Sequence, residues 1–199
     1  MSHSILASKL HERISVPSNL GFATNISPDG QAATIIFDNL FVGINPAQQG
    51  AVETHDHTAI QTKVFTVHIP YSTDQQSVTM LMDLRGFADA GAGADVRLVA
   101  CAGDTTKVVE LSTDEGNLVK LKGTSKDAIA AEHPSMQLGD FRDRVEFTVQ
   151  TRAAKPVCQI TLFLLVEHNT DTTGSGGALL AVDSLDLEIV GPGKGTCQL

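Results

Sequence analysis

The stretch VETHDHTAIQT (Val52 to Thr62) places His55 and His57 two residues apart, with Asp56 between them and Glu53 just ahead. On an extended strand, side chains two apart point to the same side, so both imidazoles could reach one ion. Two His and a carboxylate suit Zn, Ni or Cu, and Glu53 or Asp56 could complete the shell. The segment follows NPAQQG (Asn45 to Gly50), however, and so opens in a loop with no further His or Cys close by. His68 and His133 could join only through the fold. A solvated polar loop leading into a strand at Val64 is the better reading, with metal binding or pH sensing by the His cluster as its rival. No metal-ligating, cofactor-binding or catalytic residue is expected.

Other chemistry is sparser still. DTTKVVELSTDEGN and HNTDTTGSGG set Asp near Asn and Gly, but neither has the D-x-[DN]-x-[DN]-G spacing of a calcium loop, so ordinary turns explain them. There is no G-x-S-x-G nucleophile elbow. Cys101 and Cys158 lie in apolar runs, where a thiol behaves as a small hydrophobe. Cys101, Cys158 and Cys197 are too few and too widely spaced for a fully paired framework or C-x-x-C zinc pairs. Sugar sites usually present aromatic faces; this chain has no Trp and one Tyr (Tyr71), and its eight Phe are expected mostly in the core.

The elements that must carry these residues read as strands. Nine candidates succeed one another: QAATIIFDNLFVGI, KVFTVHIPY, QSVTMLMDLRGFAD, ADVRLVACAG, TKVVELST, NLVKLKG, DRVEFTVQTR, CQITLFLLVEHN and ALLAVDSLDLEIV. Turn residues separate them, as in SPDG (Ser27 to Gly30) and GSGG (Gly174 to Gly177). FRDRVEF (Phe141 to Phe147) alternates charge and reads as a solvent-facing edge strand. Only SILASKLHERI and KDAIAAEH (Lys126 to His133) could form a turn or two of helix. The expected fold is all-β: one antiparallel β-sandwich, jelly-roll or immunoglobulin-like, with about nine strands and little helix. Its boundaries are an N-terminal arm over 1–19 and a sandwich over 20–199. Ile36, Phe65, Val67, Leu81, Leu98, Phe147, Leu162 and Leu164 are expected in the core.

Three segments in order, SPDGQAATIIFD (Ser27 to Asp38), DLRGFADAGAG (Asp83 to Gly93) and TTGSGGALLAVDSLDLEI (Thr172 to Ile189), give the chain a family likeness. It resembles small fungal and bacterial secreted proteins known only as a domain of unknown function, over roughly Leu20 to Val190. The resemblance implies a β-sandwich and no catalytic residues. Members carry a signal peptide and paired cysteines, one of them before the strand matching VFTVHI; here that position, near Lys63, has no Cys, and only Cys197 falls where a family cysteine does.

Composition bounds the function. A net charge of −9 with scattered Lys and Arg argues against nucleic acid. No apolar run reaches the roughly 18 residues of a membrane helix, and MSHSILASKLHERISV lacks a signal-peptide core. The expected location is therefore cytoplasmic, or exported without a Sec-type signal. With no convergent catalytic set, the expected function is non-enzymatic: a structural or assembly subunit acting by protein contact and self-association into a homo-oligomer. The apolar stripe Ile5, Leu6, Leu10 and Ile14 of the arm needs a surface to cover it, a neighbouring subunit or else its own domain. The alternative is a ligand-binding module for carbohydrate or a divalent metal.

Overall fold

The computed structural model describes residues 9–10, 14–16, 19–44, 54–55, 58–73, 75–91, 93–102, 106–114, 117–120, 136–137, 139–151, 156–169 and 177–192, with backbone alone at 54–55, 106–114, 117–120 and 136–137. Among the described residues, fourteen antiparallel strands make up two sheets: β1 (Lys9–Leu10), β2 (Phe22–Ile26), β3 (Ala32–Phe37), β4 (Phe41–Ile44), β5 (Thr54–His55), β6 (Thr58–Ser72), β7 (Ser77–Ala90), β8 (Ala94–Ala102), β9 (Thr106–Asp114), β10 (Asn117–Lys120), β11 (Met136–Gln137), β12 (Gly139–Gln150), β13 (Val157–Asn169) and β14 (Ala178–Pro192). All nine expected strands are present. The first is divided at Asp38–Leu40 into β3 and β4, and β2 and the two-residue strands β1, β5 and β11 come in addition. No helix occurs among the described residues; the candidate at Lys126 to His133 lies outside them.

One sheet runs β1-β6-β13-β8-β9-β10-β11, with β5 beside β6; the other runs β12-β7-β14-β3-β2, with β4 beside β14. If β3, β6, β7, β8, β9, β12, β13 and β14 are counted as first to eighth, the sheets read first-eighth-third-sixth and second-seventh-fourth-fifth. That wiring is a jelly roll, which decides between the two sandwich types expected. Its consequence is that strands far apart in sequence become neighbours in the six-stranded sheet.

The core lies between the sheets because alternate residues of each strand face inward. Phe65, Val67, Leu98, Phe147, Leu162 and Leu164 are buried as expected. Ile36 and Leu81 are not: Ile36 is 51% exposed, Leu81 is half-buried, and Ile35, Met80 and Met82 fill the interior instead. ATIIF and TMLMDL are apolar at consecutive positions, so alternation alone cannot say which parity faces inward.

Two local features hold the six-stranded sheet in shape. The SPDG turn closes the β2–β3 hairpin, with Gly30 at φ 70° and its N–H donating to the Ser27 carbonyl at 2.8 Å. In β14 a bulge between Val182 and Ser184 lets its first half pair with β4 and its second half with β3.

The described part of the leading segment, residues 9–10 and 14–16, folds onto its own domain; Ile5 and Leu6 lie outside the described residues. Leu10 pairs with Tyr71 and Ser15 with His68, along the edge of β6. Leu10 is buried, and Ile14 and Val16 pack against the core. Among the described residues, these apolar groups of the stripe are therefore covered within the chain rather than left for a neighbour.

Candidate functional site

The histidine segment does not assemble a site. Thr54–His55 pairs with Thr58–Ala59, while Asp56 and His57, like Glu53 and His133, lie outside the described residues. His68 stands on β6 ten residues beyond Thr58, about 33 Å along an extended strand. His68 and His55 therefore cannot share an ion. Among the described residues no three His, Cys, Asp or Glu side chains converge. Cys158 is buried and free, and burial pushes its thiol up to about 12, far from a reactive thiolate. Cys101 is half-buried, and Cys197 lies outside the described residues.

Chemistry gathers instead on the outer face of the six-stranded sheet. Cross-strand register sets Arg144, Asp83, Asp186 and Thr34 in one row, on β12, β7, β14 and β3. The next row holds Arg142, Arg85, Ser184 and Ile36. Asp83 is the anchor, its side chain only 10% exposed. Arg142 Nε donates to Asp83 Oδ1 at 2.9 Å and Oδ2 at 2.8 Å, and Arg142 Nη2 also bonds Oδ2. Arg85 bridges the two acids, with Nε 3.5 Å from Asp83 Oδ1 and Nη2 3.2 Å from Asp186 Oδ2. Thr34 Oγ1 donates to Asp186 Oδ1 at 2.6 Å, and Arg144 Nη2 stands 4.0 Å from Glu188 Oε2.

These contacts bound a groove of about 270 Å³ lined by Thr34, Leu81, Asp83, Arg85, Asp186 and Glu188, with Arg142 and Arg144 on the β12 side. The Arg142 guanidinium, with Arg85 behind it, holds the Asp83 carboxyl below the usual carboxylate range. Three guanidiniums meet three carboxylates, so charge is balanced. The cations are nonetheless the more open: Arg142 is 57% and Arg144 59% exposed at the side chain. Bidentate clamping fixes the direction of the Arg142 donors.

None of these residues was singled out by residue type and spacing. The usable signals were one acid inside the apolar run TMLMDL and the Arg pair of FRDRVEF. That segment is indeed an edge strand, β12, with Phe141 and Phe147 turned inward and both arginines outward. The expectation for the phenylalanines needs correcting as well: Phe37, Phe65, Phe141 and Phe147 are buried, but Phe22, Phe41 and Phe163 are exposed and Phe87 is half-buried. Successive side chains of a strand point to opposite faces, so aromatics at both parities put rings on both sides of a sheet. Tyr71 is buried and offers no outer surface.

No protein-family model matches the chain, and no curated protein matches it. Among solved structures it is similar to TmCBM61, determined in complex with beta-1,4-galactotriose, at 8% identity and a TM-score of 0.27, over 89% of this chain and 87% of that one. It is also similar to TmCBM27, a carbohydrate-binding module described for specific mannan recognition, at 10% identity and a TM-score of 0.24, over 90% of this chain and 98% of that one.

Proposed function

We propose that the protein is a non-catalytic binding module whose working surface is the groove on the six-stranded sheet, and that its ligand is a neutral, hydroxyl-rich molecule of the carbohydrate class. The observation that carries this is the row Arg144, Asp83, Asp186 and Thr34 with Arg142 and Arg85 beside it. Hydroxyls both donate and accept, so they suit a surface where guanidinium donors and carboxylate acceptors alternate. Balanced charge favours a neutral ligand over an ion, which would meet a like charge at short range. Each guanidinium has five N–H groups, and the bonds above use only part of them.

Catalysis is a poorer fit. A general acid or base works best with a pKa near the operating pH, and Asp83 is pushed the opposite way. Its oxygens are also occupied by Arg142. The test is calorimetric titration of the protein with neutral hexoses and pentoses, beside Arg144→Ala, which severs only the contact to Glu188. Saturable binding that weakens about tenfold or more in the variant supports the reading; loss of one charge-assisted hydrogen bond has that size. No heat with any sugar at tens of millimolar would sink it.

A second reading, self-association, rests on the opposite face. Val64, Phe163 and Val99 form a cross-strand row on the outside of the eight-stranded sheet, with Leu165 in the next row. Val64 and Phe163 are exposed, and the row is flanked by Thr66 and Thr161 on one side and by Thr62 and Arg97 on the other. An apolar centre in a polar rim is how a protein interface is built. On this reading two copies stack these faces, and Phe163→Lys converts a dimer to a monomer by light scattering. A wild-type protein that stays monomeric at high concentration removes it.

A further inference from the structure

We infer that the ligand is a chain of several sugar rings that leaves the groove and lies over an apolar platform on the same sheet face. The inference rests on the groove reading above. Following the register away from the Asp83 row, the face presents Arg85, Ser184 and Ile36, then Phe87, Ala181 and Phe41, then Asp89, Leu179 and Gly43. Ile36 is 51% and Phe41 52% exposed, and Leu179 is exposed beside them. Polar groove and apolar platform are thus consecutive rows of one surface.

Spacing decides the size of the ligand. Two residues along a strand advance about 6.7 Å, so the Phe41 row lies about 13 Å from the Asp83–Asp186 row. That exceeds one six-membered ring. The groove itself, at about 270 Å³, lies just below the range of small-molecule sites, which run from about 300 Å³ upward. One ring fills it, and a second or third must rest outside it. Sugar rings carry C–H faces as well as hydroxyl edges, so the outer rings need apolar surface, and the platform supplies it.

Phe41 is held in place for this. Lys63 Nζ donates to the carbonyls of Asn39 at 3.2 Å and Phe41 at 3.4 Å, and lies 5.6 Å from the Phe41 ring centre. The Asp38–Phe41 connection is therefore braced from β6. A partner that was apolar throughout would meet the arginines and acids of the groove, and a lone small polar ligand would leave the platform bare.

The experiment titrates glucose, mannose and galactose and their linear oligomers of up to five units into wild type, Arg144→Ala and Phe41→Ala, with thermal unfolding as a fold control. The expected result is an affinity gain of at least tenfold between one and four units for one series. Phe41→Ala removes that gain while leaving monosaccharide binding, and Arg144→Ala weakens both. A monosaccharide that binds with no gain on lengthening, or a gain indifferent to Phe41→Ala, overturns this inference and leaves the groove reading standing. No binding at any length overturns both. Pull-down of a protein with no sugar bound would assign the platform to a protein partner instead.

Discussion

Gly86→Ala puts the packing of the six-stranded sheet to a test in which even the sign is informative. In an unobstructed strand, replacing glycine by alanine stabilises by roughly 0.5–1 kcal/mol, because less chain entropy is lost on folding. At Gly86 an added Cβ would lie 2.1 Å from the Ala181 carbonyl oxygen and 2.6 and 2.8 Å from Cζ and Cε1 of Phe141. Ordinary contact needs roughly 3.5 Å. The methyl is pinched between β14 on one side and the buried ring from β12 on the other, and the first of these is backbone. Overpacking a core costs about 1–3 kcal/mol, and a backbone obstacle places this case near 3. After the entropic gain, about 2 kcal/mol of destabilisation remains. For a chain of this length that lowers Tm by about 4–8 °C. Calorimetric melts of wild type, Gly86→Ala, Phe141→Leu and the double variant measure it. Phe141→Leu should recover the part due to the ring and leave the part due to the carbonyl. Because β7 and β14 carry Asp83 and Asp186, the same variant should also weaken whatever the groove binds. A Tm at or above wild type would show that β7 and β14 are not packed as described.

Further outcomes follow from the charges, the thiols and the leading segment. Asp83 has a native pKa below its ordinary 3.8, so the unfolded chain binds the proton first as pH falls. Its stabilisation is present above pH 3.8 and lost as pH drops through the lower native value. Urea midpoints should therefore fall less steeply on acidification in Asp83→Asn than in wild type, and parallel curves down to pH 3 would refute the clamp. Cys158 should resist an aromatic disulfide reagent at pH 8 until the protein is unfolded, since burial suppresses its thiolate; rapid native labelling at Cys158 would contradict its place in the core. Leu10→Ala should cost on the order of 2–5 kcal/mol, and deletion of residues 1–16 should lower Tm and promote aggregation by uncovering the edge of β6. An unchanged melt for both would mean that the segment does not pack on the sandwich.

What the sequence determined by itself is local. Turn residues at SPDG and alternation in KVFTVHIPY and ADVRLVACAG were enough to place strands and to turn Phe65, Val67 and Leu98 inward, because their other parity is mostly polar; in LFLLV both parities are apolar, and only the packed sheet turns Leu162 and Leu164 inward and Phe163 outward. Where both parities are apolar, as at Ile35–Ile36 and Met80–Leu81–Met82, the pattern is silent, and only the packed sheet shows Ile36 and Leu81 outside. Leu81 lines the groove and Ile36 stands in the row beside it. The site itself was out of reach of spacing for a topological reason. Thr34 and Asp186 are 152 positions apart and Asp83 and Arg142 59 apart, and they meet because jelly-roll wiring inserts the last strand between the first and third and sets the sixth beyond the third. Each residue alone is an ordinary charged or polar group on a strand; the tertiary fold makes them one row.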